Sequence, residues 1–146
     1  MKNLSFALFA ILGVVLSAVA GDIQLKVGEC WSYKTRAGEE ASFIVIQKIE
    51  SLPKEGEVVH ISVCDVKIKT AAAEKGIVDK IGHLPIAGAS LRSSLKERVT
   101  KTIPETEWKQ GYKIWREAYD AGKAGVFTQS VSDCVVYMDN VLSSRK

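Results

Sequence analysis

The spacing of the apolar residues changes once along this chain, from every second position to every third or fourth, which restricts the fold to a sheet followed by helices. From Ile23 to about Ile68 the period is two. Ile23, Leu25 and Val27 alternate with polar residues, Gly28 interrupts, and Trp31, Tyr33 and Thr35 continue opposite Ser32 and Lys34. This predicts a first strand bulged at Gly28. Ala37 to Glu40 reads as a turn, Ser42 to Ile49 as a well-buried second strand, Pro53 to Gly56 as another turn, and Val58 to Val63 as a third strand.

At Cys64-Asp65 the alternation slips, because the apolar positions move from 59, 61 and 63 to 66 and 68. A one-residue slip would turn every later side chain to the opposite face, so the backbone must bulge or turn there. Val66 to Lys69 then forms a short strand, residues 70–76 a surface connection, and Ile77 to Leu84 a further strand before Pro85.

Beyond Pro85 the pattern is helical. Ser90 is placed to cap a helix carrying Leu91, Leu95 and Val99 at four-residue spacing, with Ile103-Pro104 ending it. A second helix opens near Glu105, with Pro104 at its first position, and stops at Gly122; its buried face would be Trp108, Tyr112, Trp115 and Tyr119. Ser130 stands three residues before Asp133, a capping pattern, and opens a last helix with Val131, Cys134, Val135, Met138, Val141 and Leu142 on one side. The expected fold is α+β: an antiparallel meander sheet of about four to five strands, followed by about three helices packed on one face.

Residues 1–20 read as an export signal. Lys2 supplies the charged start, Phe6 to Leu16 the apolar core, and Ala18-Val19-Ala20 the small-x-small site after which a signal peptidase cuts. The mature chain would begin at Gly21 and form one α+β domain to Lys146, periplasmic or secreted, with no stable membrane anchor once the signal is gone. Cleavage removes Lys2 alone from the 20 basic and 17 acidic residues, leaving 19 against 17. That balance gives no footing for nucleic acid or an anionic membrane as partner.

The mature chain holds Cys30, Cys64 and Cys134, an odd number too sparse for a disulfide scaffold. All three read as small buried side chains. Cys30 and Cys64 both fall in strands and are the pair that could meet across a sheet.

Chemistry-bearing patterns are scarce. No zinc or redox spacing, phosphate-binding loop, dinucleotide fingerprint or nucleophile elbow occurs, so neither a metal nor a cofactor is expected. His60 and His83 are the only histidines. His60 shares a strand face with Ser62 and Cys64, an arrangement that admits a Cys-His pair. His83 lies in Gly82-His83-Leu84-Pro85, where glycine and proline fix the backbone around a polar ring. Arg36, Glu39 and Glu40 crowd charge at a hairpin tip, a candidate recognition loop. The aromatic stripe of the long helix reads as the side packed on the sheet, with tyrosine hydroxyls at the rim.

These patterns lead to His83, Arg36, Glu39 and Glu40 as candidate contacts for a ligand or partner, with no catalytic residue assigned. The leading expectation is a small exported non-catalytic protein that binds another macromolecule, such as an inhibitor or immunity factor, so the partner would be another protein. Two others stand beside it: a periplasmic hydrolase using His83 or His60, and a carrier of a small apolar ligand held between the sheet and the helix bearing Trp108 and Trp115.

Overall fold

The computed structural model describes residues 22–145, so the export signal expected over 1–20 lies outside the described residues. Four strands, β1 (Cys30–Tyr33), β2 (Phe43–Leu52), β3 (Gly56–Lys69) and β4 (Ile77–Ala87), run as an antiparallel meander. Helix α1 (Gly88–Ser94) then leads into β5 (Leu95–Val99), which returns to pair with β1 and gives the order β4-β3-β2-β1-β5. Helices α2 (Trp108–Asp120) and α3 (Val131–Ser143) complete the α+β fold. Four strand gaps would span about 19 Å in a flat sheet. The seven-residue α1 covers only about 10 Å, so the sheet must curl to bring β5 within reach. No described helix is long and apolar enough to cross a membrane.

The alternation in β2 and β3 divides the core. Ile44, Ile46, Val59, Ile61 and Val63 form the main cluster, closed by Leu91 of α1 and by Val131, Cys134 and Val135 of α3. On the opposite face stand Phe43, Val45, Cys30 and Cys64 at one end and Leu52, Val58 and Trp115 at the other. The expectation of helices sharing one side is thereby refined. Helices α1 and α3 cover the main core face, and α2 lies across the other.

The slip at Cys64-Asp65 is a bulge. Asp65 adopts φ 56°, the β3–β4 register shifts between Cys64 and Ile68, and Val66 and Ile68 join the same cluster as Val59, Ile61 and Val63. The bulge therefore keeps the apolar row on one face.

Four local expectations are corrected. The helix predicted through Leu91, Leu95 and Val99 is the short α1 followed by strand β5, because the open edge of β1 takes up Leu95 to Val99 as a partner. Ser90 is not the cap; its hydroxyl donates to the carbonyl of Thr128. The first strand pairs regularly only over Cys30–Tyr33, and the bulge expected at Gly28 is present: Gly28 adopts φ 89° and donates its N–H to the Ile46 carbonyl at 2.8 Å, while the Ile46 N–H donates to the Glu29 carbonyl at 3.0 Å. Ile23 and Leu25 pack on the core. Helix α2 opens at Trp108 rather than near Glu105, because Thr106 is drawn into the sheet, its hydroxyl 2.9 Å from that of Ser62. At α3 the expected cap is in place: Ser130 Oγ accepts from the Asp133 amide at 3.1 Å.

Cys30, Cys64 and Cys134 are buried free thiols. Cys30 stands opposite Val45 and Cys64 opposite Phe43, so β2 lies between them. Two strand spacings, roughly 9–10 Å, exceed the reach of a disulfide.

Candidate functional site

Two bulges flank the stretch of β3 that carries His60 and Ser62. In the β2–β3 ladder Ile46 faces Ile61 and Lys48 faces His60, which leaves Gln47 as an extra residue. In the β3–β4 ladder Ile61 faces Leu84 and Val63 faces Ile81, so β4 carries one extra residue at Gly82-His83. Bulges re-aim side chains. Here they turn Gln47 toward Ser62 and bring His83 onto the face occupied by His60.

Ser62 is fully engaged. Its hydroxyl donates to the Gly82 carbonyl at 2.7 Å, accepts from Gln47 Nε2 at 3.0 Å, and lies 2.9 Å from Thr106 Oγ1. A hydroxyl has one proton to give, and that of Ser62 goes to backbone, so this serine is a strut and not a nucleophile.

His60 is completely buried. Its Nδ1 lies 2.9 Å from His83 Nε2 and its Nε2 lies 2.8 Å from Glu50 Oε1. The two imidazole planes are within 15° of each other, with centroids 5.1 Å apart, as expected for rings joined in line by one hydrogen bond. Tyr112 and Trp115 of α2 close around His60, edge-on at 4.8 and 4.9 Å. Glu50 also accepts from the Tyr112 hydroxyl at 3.2 Å, and Arg116 Nη1 stands 3.5 Å away. Gly111 is what lets α2 approach, because a Cβ at that position would stand 2.6 Å from His83 Cβ.

Burial keeps both imidazoles neutral. Desolvation lowers His60 below the usual histidine range, although Glu50 pulls the other way. His83 is lowered to about 4, mainly by desolvation and then by His60 beside it. Desolvation and the neighbouring Glu50 carboxylate raise the Tyr112 phenol, which stays a hydrogen-bond donor at neutral pH.

His83 opens onto a cleft of about 880 Å³ between β4, α2 and α3. Its body is apolar, with Ile81, Ile114, Trp115, Met138 and Leu142 on the walls, and its polar groups gather near Lys80, His83, Glu105 and Gln110. Ile114 is 62% exposed, a large apolar side chain turned outward on a helix that packs elsewhere. The aromatic stripe is only partly core: Trp115 is buried, while Trp108, Tyr112 and Tyr119 are half-buried, with the Tyr119 hydroxyl on Glu55.

The other candidate residues lie apart from this cleft. Arg36 pairs with Glu39, donates to Asp139 Oδ2 at 2.9 Å, and reaches the Lys67 carbonyl at 3.2 Å. Glu39 is buried and accepts from the Lys67 amide at 2.6 Å. The hairpin tip is thus tied to β3 and α3, and Glu40 is exposed, bonded to the Gly38 amide. The pairing of His60 with Cys64 is corrected too. His60 turns to Glu50 and His83, and burial pushes the Cys64 thiol up to about 11, away from the thiolate.

Sequence reasoning missed Glu50, Gln47, Tyr112 and Gly111 as parts of the site. Only Tyr112 left a trace, as a hydroxyl expected at the rim of the aromatic stripe; Glu50 left none, because its place on the His60 face depends on the Gln47 bulge. Among the described residues no cluster of three or more His, Cys, Asp or Glu side chains is arranged to hold a metal ion. Comparison of the chain with protein-family models, with known proteins and with solved structures finds no match.

Proposed function

We propose that this is an exported carrier of a small amphipathic molecule, bound in the cleft between β4, α2 and α3. The observation that carries the reading is the cleft itself. At about 880 Å³ it falls within the roughly 300–1,000 Å³ typical of small-molecule sites, and it combines apolar walls with a few convergent polar groups. The exposed Ile114 at its wall is accounted for if a ligand covers it. Export rests on the leader pattern of residues 1–20 and is tested by mass spectrometry of the secreted product, which should begin at Gly21.

Binding of a macromolecule through residues 36–40 has less support, because Arg36 and Glu39 spend their charges on internal partners. The fluorescent probe N-phenyl-1-naphthylamine tests the carrier reading. Its emission should rise with saturable micromolar binding, and Ile114→Glu, at a position already in water, should weaken that binding at least tenfold without unfolding the protein. No saturable binding to the wild type overturns the reading.

A second reading, hydrolysis, is favoured by the order carboxylate, imidazole, imidazole from Glu50 to His83. It predicts turnover of a p-nitrophenyl ester that His83→Ala removes.

A further inference from the structure

We infer that the cleft selects ligands that donate a hydrogen bond, neutral alcohols and phenols over carboxylates, because the side chains behind His83 hold its cleft-facing nitrogen as an acceptor. The inference rests on the binding role proposed above.

The argument begins at Glu50. A carboxylate facing His60 Nε2 at 2.8 Å requires a proton on that nitrogen, since an acceptor opposite an acceptor would be repulsive. Neutral imidazole carries only one proton, so His60 Nδ1 is bare. It therefore accepts from His83 Nε2, 2.9 Å away. That commits the single proton of His83 to its own Nε2 and leaves Nδ1 with a free lone pair. Glu50 and His60 act as positioning residues. They set a tautomer and do not touch the ligand.

His83 Nδ1 faces the cleft by elimination. Among the described residues no buried side-chain nitrogen or oxygen lacks a hydrogen-bond partner, and His83 bonds only through Nε2. Its Nδ1 is therefore accessible, and the cleft of Ile81 and Trp115 is the cavity that His83 lines. The nearby charges favour the same ligands. Glu105 and Glu107 stand at the cleft against a single cation, Lys80, whose ammonium is already donated to the Glu105 carbonyl. An anionic ligand meets a bare lone pair and two carboxylates; a hydroxyl meets a matched acceptor.

The experiment compares 4-octylphenol with 4-octylbenzoate as displacers of N-phenyl-1-naphthylamine at about pH 8, above the histidine range. The phenol should bind about tenfold more tightly, the worth of one well-made hydrogen bond. Glu50→Gln should reverse the order. Arg116 draws the amide oxygen, so the amide NH₂ faces His60, and both imidazoles then shift their protons, leaving N–H on His83 Nδ1. Long-range ¹H–¹⁵N spectra of the wild type read the tautomers directly, with no ligand and no variant needed, and should show both histidines protonated at Nε2. Benzoate binding as tightly as phenol, an unchanged order in folded Glu50→Gln, or a proton on His83 Nδ1 overturns the inference and leaves the carrier reading intact. Failure of the naphthylamine to bind overturns both.

Discussion

Gly111 on α2 and His83 on β4 meet so closely that a methyl group on the glycine would stand 2.6 Å from the histidine Cβ. Two effects oppose each other in Gly111→Ala. Alanine favours a helix interior by about 1 kcal/mol, whereas overpacking of a close contact costs about 1–3 kcal/mol. His83 is pinned on its far side by His60, so the clash wins. Urea unfolding should show a net loss of up to about 2 kcal/mol, with weaker naphthylamine binding as α2 moves away. A stabilised variant would show that His83 yields freely.

Stability should fall in mild acid. Both histidines are neutral and lowered in the folded protein, His83 to about 4, while in the unfolded chain they titrate near 6.5. Between those values the unfolded state binds more protons at His83, so stability is full above about pH 6.5 and declines as pH falls toward 4, by up to about 1.4 kcal/mol per pH unit from His83, and the lowered His60 adds to the decline in the same direction. Unfolding midpoints measured from pH 8 to pH 4 should trace this decline, and His83→Asn should flatten it. A profile unchanged by that substitution would place the loss elsewhere.

Trp115 is the anchor of α2. It is 8% exposed, packs with Leu52 and Val58, and donates its indole N–H to the Gly125 carbonyl at 2.8 Å. Trp115→Ala should cost about 3–5 kcal/mol, a large fraction of typical domain stability. A loss below about 1 kcal/mol would mean that α2 is held by its tyrosines instead.

The three thiols should be silent. Burial pushes Cys64 and Cys134 up to about 11 and raises Cys30 as well. A thiol-reactive dye should label none of them rapidly in native buffer and all three in denaturant. A native disulfide in the purified protein would contradict the separation of Cys30 from Cys64 by β2.

Arg36→Ala should loosen the far end of β3. It removes the cation that neutralises Glu39 and Asp139, and the expected cost is about 1–3 kcal/mol, that of leaving a buried charged group short of a partner. Hydrogen exchange at the Lys67 and Lys69 amides should accelerate while the core amides of Ile44 and Ile61 do not. Uniform acceleration would point to global destabilisation only.

The meander was legible because Val59, Ile61, Val63, Val66 and Ile68 write their side of the sheet into the sequence, bulge included. Strand β5 was not legible. Leu95 and Val99 fit a helix by spacing, and only the vacant edge of β1, far away in sequence, decides otherwise. The site was half legible for the same reason. His60 and His83 stand out by scarcity, but their union depends on extra residues at Gln47 and Gly82-His83, which leave no periodic signal. The start of α2 was misread because Thr106 answers to Ser62, a partner 44 positions away.

Beyond the Asp65 bulge, β3 runs past the end of β2, and two carboxylates take up its outward amides: Glu39 that of Lys67 at 2.6 Å and Asp139 that of Lys69 at 2.7 Å. Unpaired strand margins are templates on which foreign strands assemble into aggregates. Here the donors of that margin are already spoken for by side chains of the same molecule, and an incoming strand would have to displace charge-assisted bonds with neutral ones. The hairpin charges that looked like a recognition loop thus act as a guard against unwanted polymerisation.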